Sequence, residues 1–353
     1  MKRFLLDIFT FLVPCMVVVA YYCIHVQPNI NGDLGRLGFL PFDRDYTAAR
    51  TVDAYPQGHI VIHSPREIED TTSILFVGDS FTRFQAFHGM ANFVNRYAMQ
   101  DSLSKVYNLQ VDNIANNLAQ VVVDILRFSD TMPGRIVLEI TERSMEYYYS
   151  GVDFDTDHPL SPVFTGVCCK GTGNATPKSG GRWYDEARQT LLDTQQYFKK
   201  RLGIQCAVIC ESLQQEFFTC CGDESNLYFY QDDIKGRYSE ESVRTVRDNM
   251  RRLNELAASR NVRLLILAPS DKYAIYKPYI VRDRHKAASF LDHFEDFDED
   301  FFINTRTLFR PCLKKGTKDL YLCNDSHWGA LAAGIVANEI HRRLENGKTT
   351  ASD

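Results

Sequence analysis

Apolar residues in this chain fall into short uninterrupted runs that alternate with stretches of helical spacing. That is the pattern of buried strands separated by amphipathic helices. The run from Ser73 to Val77, closed by Gly78-Asp79, reads as a strand buried on both faces. Residues 84 to 99 read as a helix and 105 to 109 as a second strand. Ile114, Leu118, Val121, Val122, Ile125 and Leu126 recur at helical spacing and predict a helix from 114 to 128. A third strand is expected over 135 to 140, ending in Thr141-Glu142-Arg143. Further on come a helix from 240 to 259 with Ser239 as its cap, and a fourth strand from 262 to 267. A last helix runs from Trp328 to Leu344, with Ala332, Ala333, Val336, Ile340 and Leu344 on one face. Strand, helix, strand, helix implies an α/β fold with a mostly parallel sheet and helices on both faces.

The alternation breaks between residues 144 and 183, where Pro159, Pro162, Pro177 and several glycines cluster. This predicts an insertion or lid, extending to about residue 235. It includes a helical segment from 184 to 202 and an ambiguous stretch from 206 to 230. The expected organisation is therefore residues 1–27 as a cytoplasmic tip and anchor, 28–69 as a tether and lead-in, and 70–346 as the catalytic domain.

The N-terminal tip is basic (Lys2, Arg3) and precedes a mostly apolar run from Ile8 to Val26. At 1.5 Å per residue that run spans about 28 Å, close to the bilayer core. The two basic residues place the tip inside and the rest of the chain outside. The expectation is a single-pass protein of the inner or cell membrane, with its domain on the periplasmic side. A cleaved signal peptide is the alternative, but no small-x-small cleavage site follows the run. The net charge of -5 and the absence of a basic stripe argue against nucleic acid as a partner. The acidic run from Asp292 to Asp300 is read as a solvated face rather than a metal site. Ten cysteines suit an oxidising compartment, and Cys312 with Cys323 is the pairing favoured. Two sequons occur, Asn174-Ala-Thr176 and Asn324-Asp-Ser326, the second with little room for a glycan.

Two short motifs carry chemistry. Gly78-Asp79-Ser80-Phe81 follows the first strand, where a parallel sheet presents ligands and a helix N-terminus can help an oxyanion. Asp325-Ser-His327-Trp328 precedes the last helix. A serine needs a base, and the base needs an orienting carboxylate. Each motif alone is weak, since Ser80 and Asp325 would also serve as helix caps. Together they are far more specific.

The pair resembles block I and block V of the SGNH/GDSL hydrolase superfamily. More narrowly, it resembles the SGNH-like domain of the alginate O-acetyltransferase proteins, as does the segment Ala268-Pro-Ser-Asp-Lys272-Tyr-Ala-Ile-Tyr276. The resemblance covers roughly residues 70 to 345 and implies an SGNH-like, flavodoxin-like three-layer sandwich. Two departures stand out. The alginate proteins place Asp-x-His before the serine, whereas here the serine comes first. The family's oxyanion-hole Gly and Asn are also replaced, by Gln110 and by Thr141-Glu142-Arg143.

The catalytic residues expected are Ser80, His327 and Asp325. Gly78, Asp79, Gln110, Asn113, Glu142, Arg143, Lys272, Tyr276 and Trp328 are candidates for oxyanion or substrate contacts. Glu142 would orient Arg143 or pair with it structurally, and Asn116 and Asn117 are further candidates. Tyr147, Tyr148 and Tyr149 are read as a sugar-stacking platform or a plain hydrophobic lid. The chemistry requires no metal or dissociable cofactor. The function expected is O-acetylation of a cell-surface or exported polysaccharide. The resemblance implies an acetyl donor supplied by a multipass membrane acyltransferase partner. Hydrolysis of such esters by a carbohydrate acetylesterase is one alternative, and a catalytically silent glycan-binding subunit of an export complex is another.

Overall fold

The computed structural model describes residues 8–18, 33–34, 58–82, 92–101, 103–111, 117–165, 207–219, 224–234, 236 and 238–346. Six strands form one parallel sheet: β1 (Ile60–Ile62), β2 (Ile74–Gly78), β3 (Val106–Gln110), β4 (Arg135–Glu139), β7 (Arg263–Ala268) and β8 (Phe302–Asn304), in the order β1-β3-β2-β4-β7-β8. Two more strands, β5 (Val208–Ser212) and β6 (Asn226–Tyr230), make a separate antiparallel pair.

The sheet divides the core in two, because successive side chains of a strand point to opposite faces. On one face Ile74, Phe76, Val137, Leu265 and Leu267 meet three helices: α1 (Phe93–Gln100), α6 (Thr305–Lys314) and α7 (Ala330–Asn346). On the other, Leu75, Val77, Ile136, Leu138, Leu264 and Ile266 meet α2 (Leu118–Phe128), α3 (Glu142–Ser150) and α4 (Glu240–Ser259). A short helix, α5 (Lys272–Tyr276), follows β7 and is fully buried. The parallel sheet with helices on both faces is the α/β architecture read from the sequence.

Several boundaries differ from the sequence reading, each for a local reason. Asn92 and Asn117 accept hydrogen bonds from Asn95 N and Gln120 N, so they start α1 and α2 later than periodicity alone suggests. Ser239 caps α4 through Ser242 N, as its position implied. That helix ends where Asn261 takes φ 56°, and Val262 N returns to Ala257 O. The last helix begins after Trp328, because Tyr321 and Trp328 form an antiparallel bridge and Gly329 N bonds Leu320 O.

The proposed insertion is overturned at its start. Residues 142 to 150 form α3, which buries Met145, Tyr148 and Tyr149 in the second-face core. Those two tyrosines are not a stacking platform; Tyr147 is the exposed one of the three. The ambiguous stretch is the β5–β6 hairpin. The helix expected over 184 to 202 lies outside the described residues, as does Asn174. Strands β1 and β8 and helices α5 and α6 were missed; the first two are only 3 residues long.

The acidic run is a solvated, ion-paired face. Asp292, Glu295, Asp296 and Glu299 pair with Arg306, Arg310, Arg247 and Arg251. The favoured disulfide is also overturned. Cys312 is a free thiol, half-buried in α6, while Cys323 is disulfide-bonded to another partner. At the N-terminus, residues 8–18 are helical with exposed apolar side chains such as Phe9 and Phe11. No helix among the described residues is long and apolar enough to cross a membrane, and the anchor expected from 8 to 26 lies partly outside them.

Candidate active site

The site sits at the carboxyl end of β2. The chain leaves β2 for β3 on one side, then crosses back to β4 on the other. In open parallel sheets such a switch point opens a crevice that ligands occupy. Gly78 ends β2, and a Cβ there would lie 2.4 Å from Thr82 Cγ2 and 2.6 Å from Glu139 Oε2. A side chain here would collide with Thr82 of the same loop and Glu139 at the end of the neighbouring strand β4, so glycine suits the position.

The loop after Gly78 is held by hydrogen bonds to backbone groups. Asp79 N donates to Glu139 Oε2 at 2.9 Å, and Asp79 Oδ1 accepts from Phe81 N at 3.1 Å. The Thr82 carbonyl accepts from the amides of both Asn92 and Asn108. Glu139 is fully buried, and its second oxygen, Oε1, has no hydrogen-bond partner among the described residues. Burial, then the charge of Asp79, raises its carboxyl well above the usual carboxylate range. Neither Glu139 nor Asn108 was singled out from sequence. A carboxylate closing the otherwise apolar strand Ile-Val-Leu-Glu139 was the available signal.

Ser80 is the next residue. Its hydroxyl lies 2.7 Å from His327 Nε2, and His327 Nδ1 lies 2.6 Å from Asp325 Oδ1. Asp325 is ionised, its carboxyl held low: burial opposes the charge, but the His327 ring and bonds from His327 and Asp33 outweigh it. Nδ1 then carries the proton and Nε2 accepts from the serine hydroxyl. The His327 backbone N–H also bonds Asp325 Oδ1, at 3.0 Å, which folds the two residues into a tight turn. Burial would lower the imidazole's pKa. Asp325 first, then Asp33 and Asp79, outweigh that and raise it above its ordinary value.

This second loop is held around ionisable groups. Lys272 Nζ donates to the carbonyls of Leu322, Cys323 and Asp325 at 2.6, 2.9 and 3.0 Å. An ammonium has three N–H donors, so the set is fully used. Burial pushes this lysine down to about 7 against the pull of Asp325 and Asp33. Asp33 lies against the same loop. Asp33, Asp325 and His327 converge closely enough for a cation, but their facing atoms are already bonded to one another or to Ser326.

Other expected residues fall into different roles. Arg143 pairs through Nη1 with Asp233 and Asp271, at 3.0 and 3.1 Å, and its guanidinium lies over the Tyr230 ring. Its partners are these aspartates, not Glu142. Glu142 instead accepts from Ser270 Oγ, Asp271 N, Ser289 Oγ and Leu291 N, tying the end of β7 to the segment before β8. With four donors around it, Glu142 is a structural carboxylate.

Tyr276 is buried against Phe217 and Phe218, and its hydroxyl accepts from Tyr321 N. Trp328 is buried too, in contact with Phe81, Phe93 and Phe309. It contributes packing, and such aromatic pairs are worth about 0.5–1.5 kcal/mol each. Phe81 also packs at a tilt against the His327 ring with centroids 4.4 Å apart, so one side chain braces nucleophile loop and base together. Gln110 ends β3 directly opposite Gly78. Its side chain, and Asn113 and Asn116 entirely, lie outside the described residues. Asn117 caps a helix and is not a site residue. Asn324 is buried beside Asp325, leaving no room for a glycan on the second sequon.

No family model matches this chain, and neither a curated protein nor a solved structure matches it.

Proposed function

We propose that this protein is a serine acyl-transfer enzyme of the SGNH type, acting on an O-acetylated or acetyl-accepting glycan. The observation that carries the reading is the continuous hydrogen-bonded chain Ser80–His327–Asp325 at the carboxyl end of β2. The three-layer, flavodoxin-like reading of the fold rests on the strand order and the helices on both faces.

The steps follow from the geometry. His327 Nε2 takes the proton of Ser80 as Oγ attacks an ester carbonyl. Asp325 stabilises the imidazolium that forms. The tetrahedral oxyanion collapses to an acyl-enzyme as His327 returns the proton to the departing alkoxide. A second hydroxyl, from a sugar or from water, then attacks with the same base. Glycan transfer is the reading preferred, and it rests on the motif resemblance. The disulfide at Cys323 supports a location outside the cytoplasm. The apolar N-terminal run supports attachment to a membrane, where a multipass acyltransferase would deliver the acetyl group.

Full-length protein treated with a serine-reactive phosphonate, then measured by intact mass and by para-nitrophenyl acetate turnover, tests this. A single adduct on Ser80 is expected. Ser80→Ala and His327→Ala should lower turnover roughly 10⁴-fold or more. Turnover unchanged in Ser80→Ala would sink the mechanism. Added oligosaccharide acceptor then separates transfer from hydrolysis by its products.

A further inference from the structure

We infer that Asp33 completes the catalytic apparatus as a positioning residue for the loop that carries Asp325 and His327. This rests on the acyl-transfer reading of the triad. Asp33 is 292 residues from Asp325 in sequence, yet its backbone N–H donates to Asp325 Oδ2 at 3.0 Å. Its side chain accepts from the Ser326 N–H at 2.8 Å and from the Ser326 hydroxyl. Its Oδ2 lies 3.8 Å from His327 Nδ1. The next residue, Leu34, is fully buried in the first-face core and anchors the contact.

The need for this partner follows from the loop itself. Asp325 is buried, and a buried carboxylate requires donors for both oxygens. Oδ1 is served twice by His327, through Nδ1 and the backbone N–H. Oδ2 receives the Asp33 N–H, from outside the loop. Ser326 joins the two triad residues, so holding its N–H and O–H fixes the peptide that sets the distance between them. Misplacing a catalytic group by about 1 Å costs about 100-fold in rate, so this support has kinetic weight.

The charges around Asp33 come from several elements. Asp325 and His327 face it from the loop, Tyr230 from β6 and Lys272 from α5, while Asp79 faces His327 from the nucleophile side. Burial, then the nearby Asp325, raises the Asp33 carboxyl above its usual range, and the charge of the His327 ring opposes that rise. A positive charge forming on His327 is therefore favoured by Asp33 as well as by Asp325.

The test uses the full chain carrying Asp33→Ala or Asp33→Asn, with the imidazole titration of His327 followed by NMR of ¹³C-histidine protein. Asp33→Ala should slow phosphonate labelling of Ser80 and lower kcat roughly 10- to 100-fold, with KM nearly unchanged. Asp33→Asn preserves shape and should recover part of kcat. In both variants His327 should titrate at lower pH than in the parent. Parent-like labelling rates together with an unmoved His327 titration would overturn the proposal. If Asp33→Ala does not fold, Asp33→Asn carries the same titration readout. If the parent itself takes no adduct on Ser80, the acyl-transfer reading fails, and the His327 titration still decides whether Asp33 acts on that ring.

Discussion

The two loops that meet at the site are held in different ways. The nucleophile loop is fixed by steric fit and by hydrogen bonds to backbone groups: Gly78 packed against Glu139, Asp79 N on the Glu139 carboxyl, and Asn92 and Asn108 on the Thr82 carbonyl. The base loop is fixed around ionisable groups: Lys272 Nζ on three carbonyls and the Asp33 carboxyl on Ser326. The nucleophile must be placed closely but carries no charge before reaction. The base gains a full charge during it, and preorganised charges there stabilise that change. Shape changes should damage the first loop most, and charge changes the second.

Lys272→Met offers the sharpest break. It nearly preserves volume but strips the Lys272 donor from the buried Cys323 and Asp325 carbonyls and the part-buried Leu322 carbonyl, and a buried acceptor left unmade costs about 1–3 kcal/mol. Thermal or denaturant unfolding should show a loss of several kcal/mol, with the Ser80 adduct forming very slowly. A stable, active Lys272→Met protein would mean the loop holds itself. Gly78→Ala tests the other loop by shape alone. Its Cβ meets Thr82 Cγ2 at 2.4 Å, and overpacking of this kind costs about 1–3 kcal/mol. Turnover should fall about 100-fold through displacement of Ser80. If Gly78→Ala lost only stability, with kcat intact, the rigidity assigned to this loop would be unnecessary.

The same division explains what was legible in the sequence. Strands β2, β3, β4 and β7 and helix α4 announced themselves, because their apolar periodicity is long or unbroken and Ser239 marks a cap. The two triad motifs were legible because each sits next to a strand end or a helix start. Glu139 and Asn108 were not, since a single polar residue in a strand does not reveal which neighbour it serves. Asp33 carried no local signal at all; its role exists only through a contact 292 residues away. Arg143 and Glu142 are adjacent in sequence, which suggests that they act as a pair. The helix of α3 instead sends them to different partners, Asp233 with Asp271 for one and the Ser270–Leu291 region for the other. Periodicity and motif spacing report local structure, whereas support around a site is tertiary.

Two milder perturbations sharpen the comparison. The base form of His327 is needed to activate Ser80, and this imidazole titrates above its ordinary value of 6.5 because Asp325, Asp33 and Asp79 outweigh its burial. The rate of acylation should therefore fall as pH falls through that raised value, with the limb lying above 6.5. A limb at or below the ordinary histidine value would show that the carboxylates do not act on the ring. The smallest effect belongs to Glu139→Gln. Burial, then the charge of Asp79, raises this carboxyl well above the usual carboxylate range, and an amide of the same shape keeps an oxygen to accept the Asp79 N–H. Stability and kcat should change little, by less than about 1 kcal/mol and a few-fold, as for an isosteric swap. Ionisation of Glu139 would place a charge in a buried strand end. Its folded pKa is raised above the unfolded one, so the stability it contributes is present at low pH and declines as pH rises past the ordinary carboxylate range. Glu139→Gln should abolish that decline. A parent whose stability lacks it, or a Gln variant that keeps it, would show the nucleophile loop to be held by charge after all.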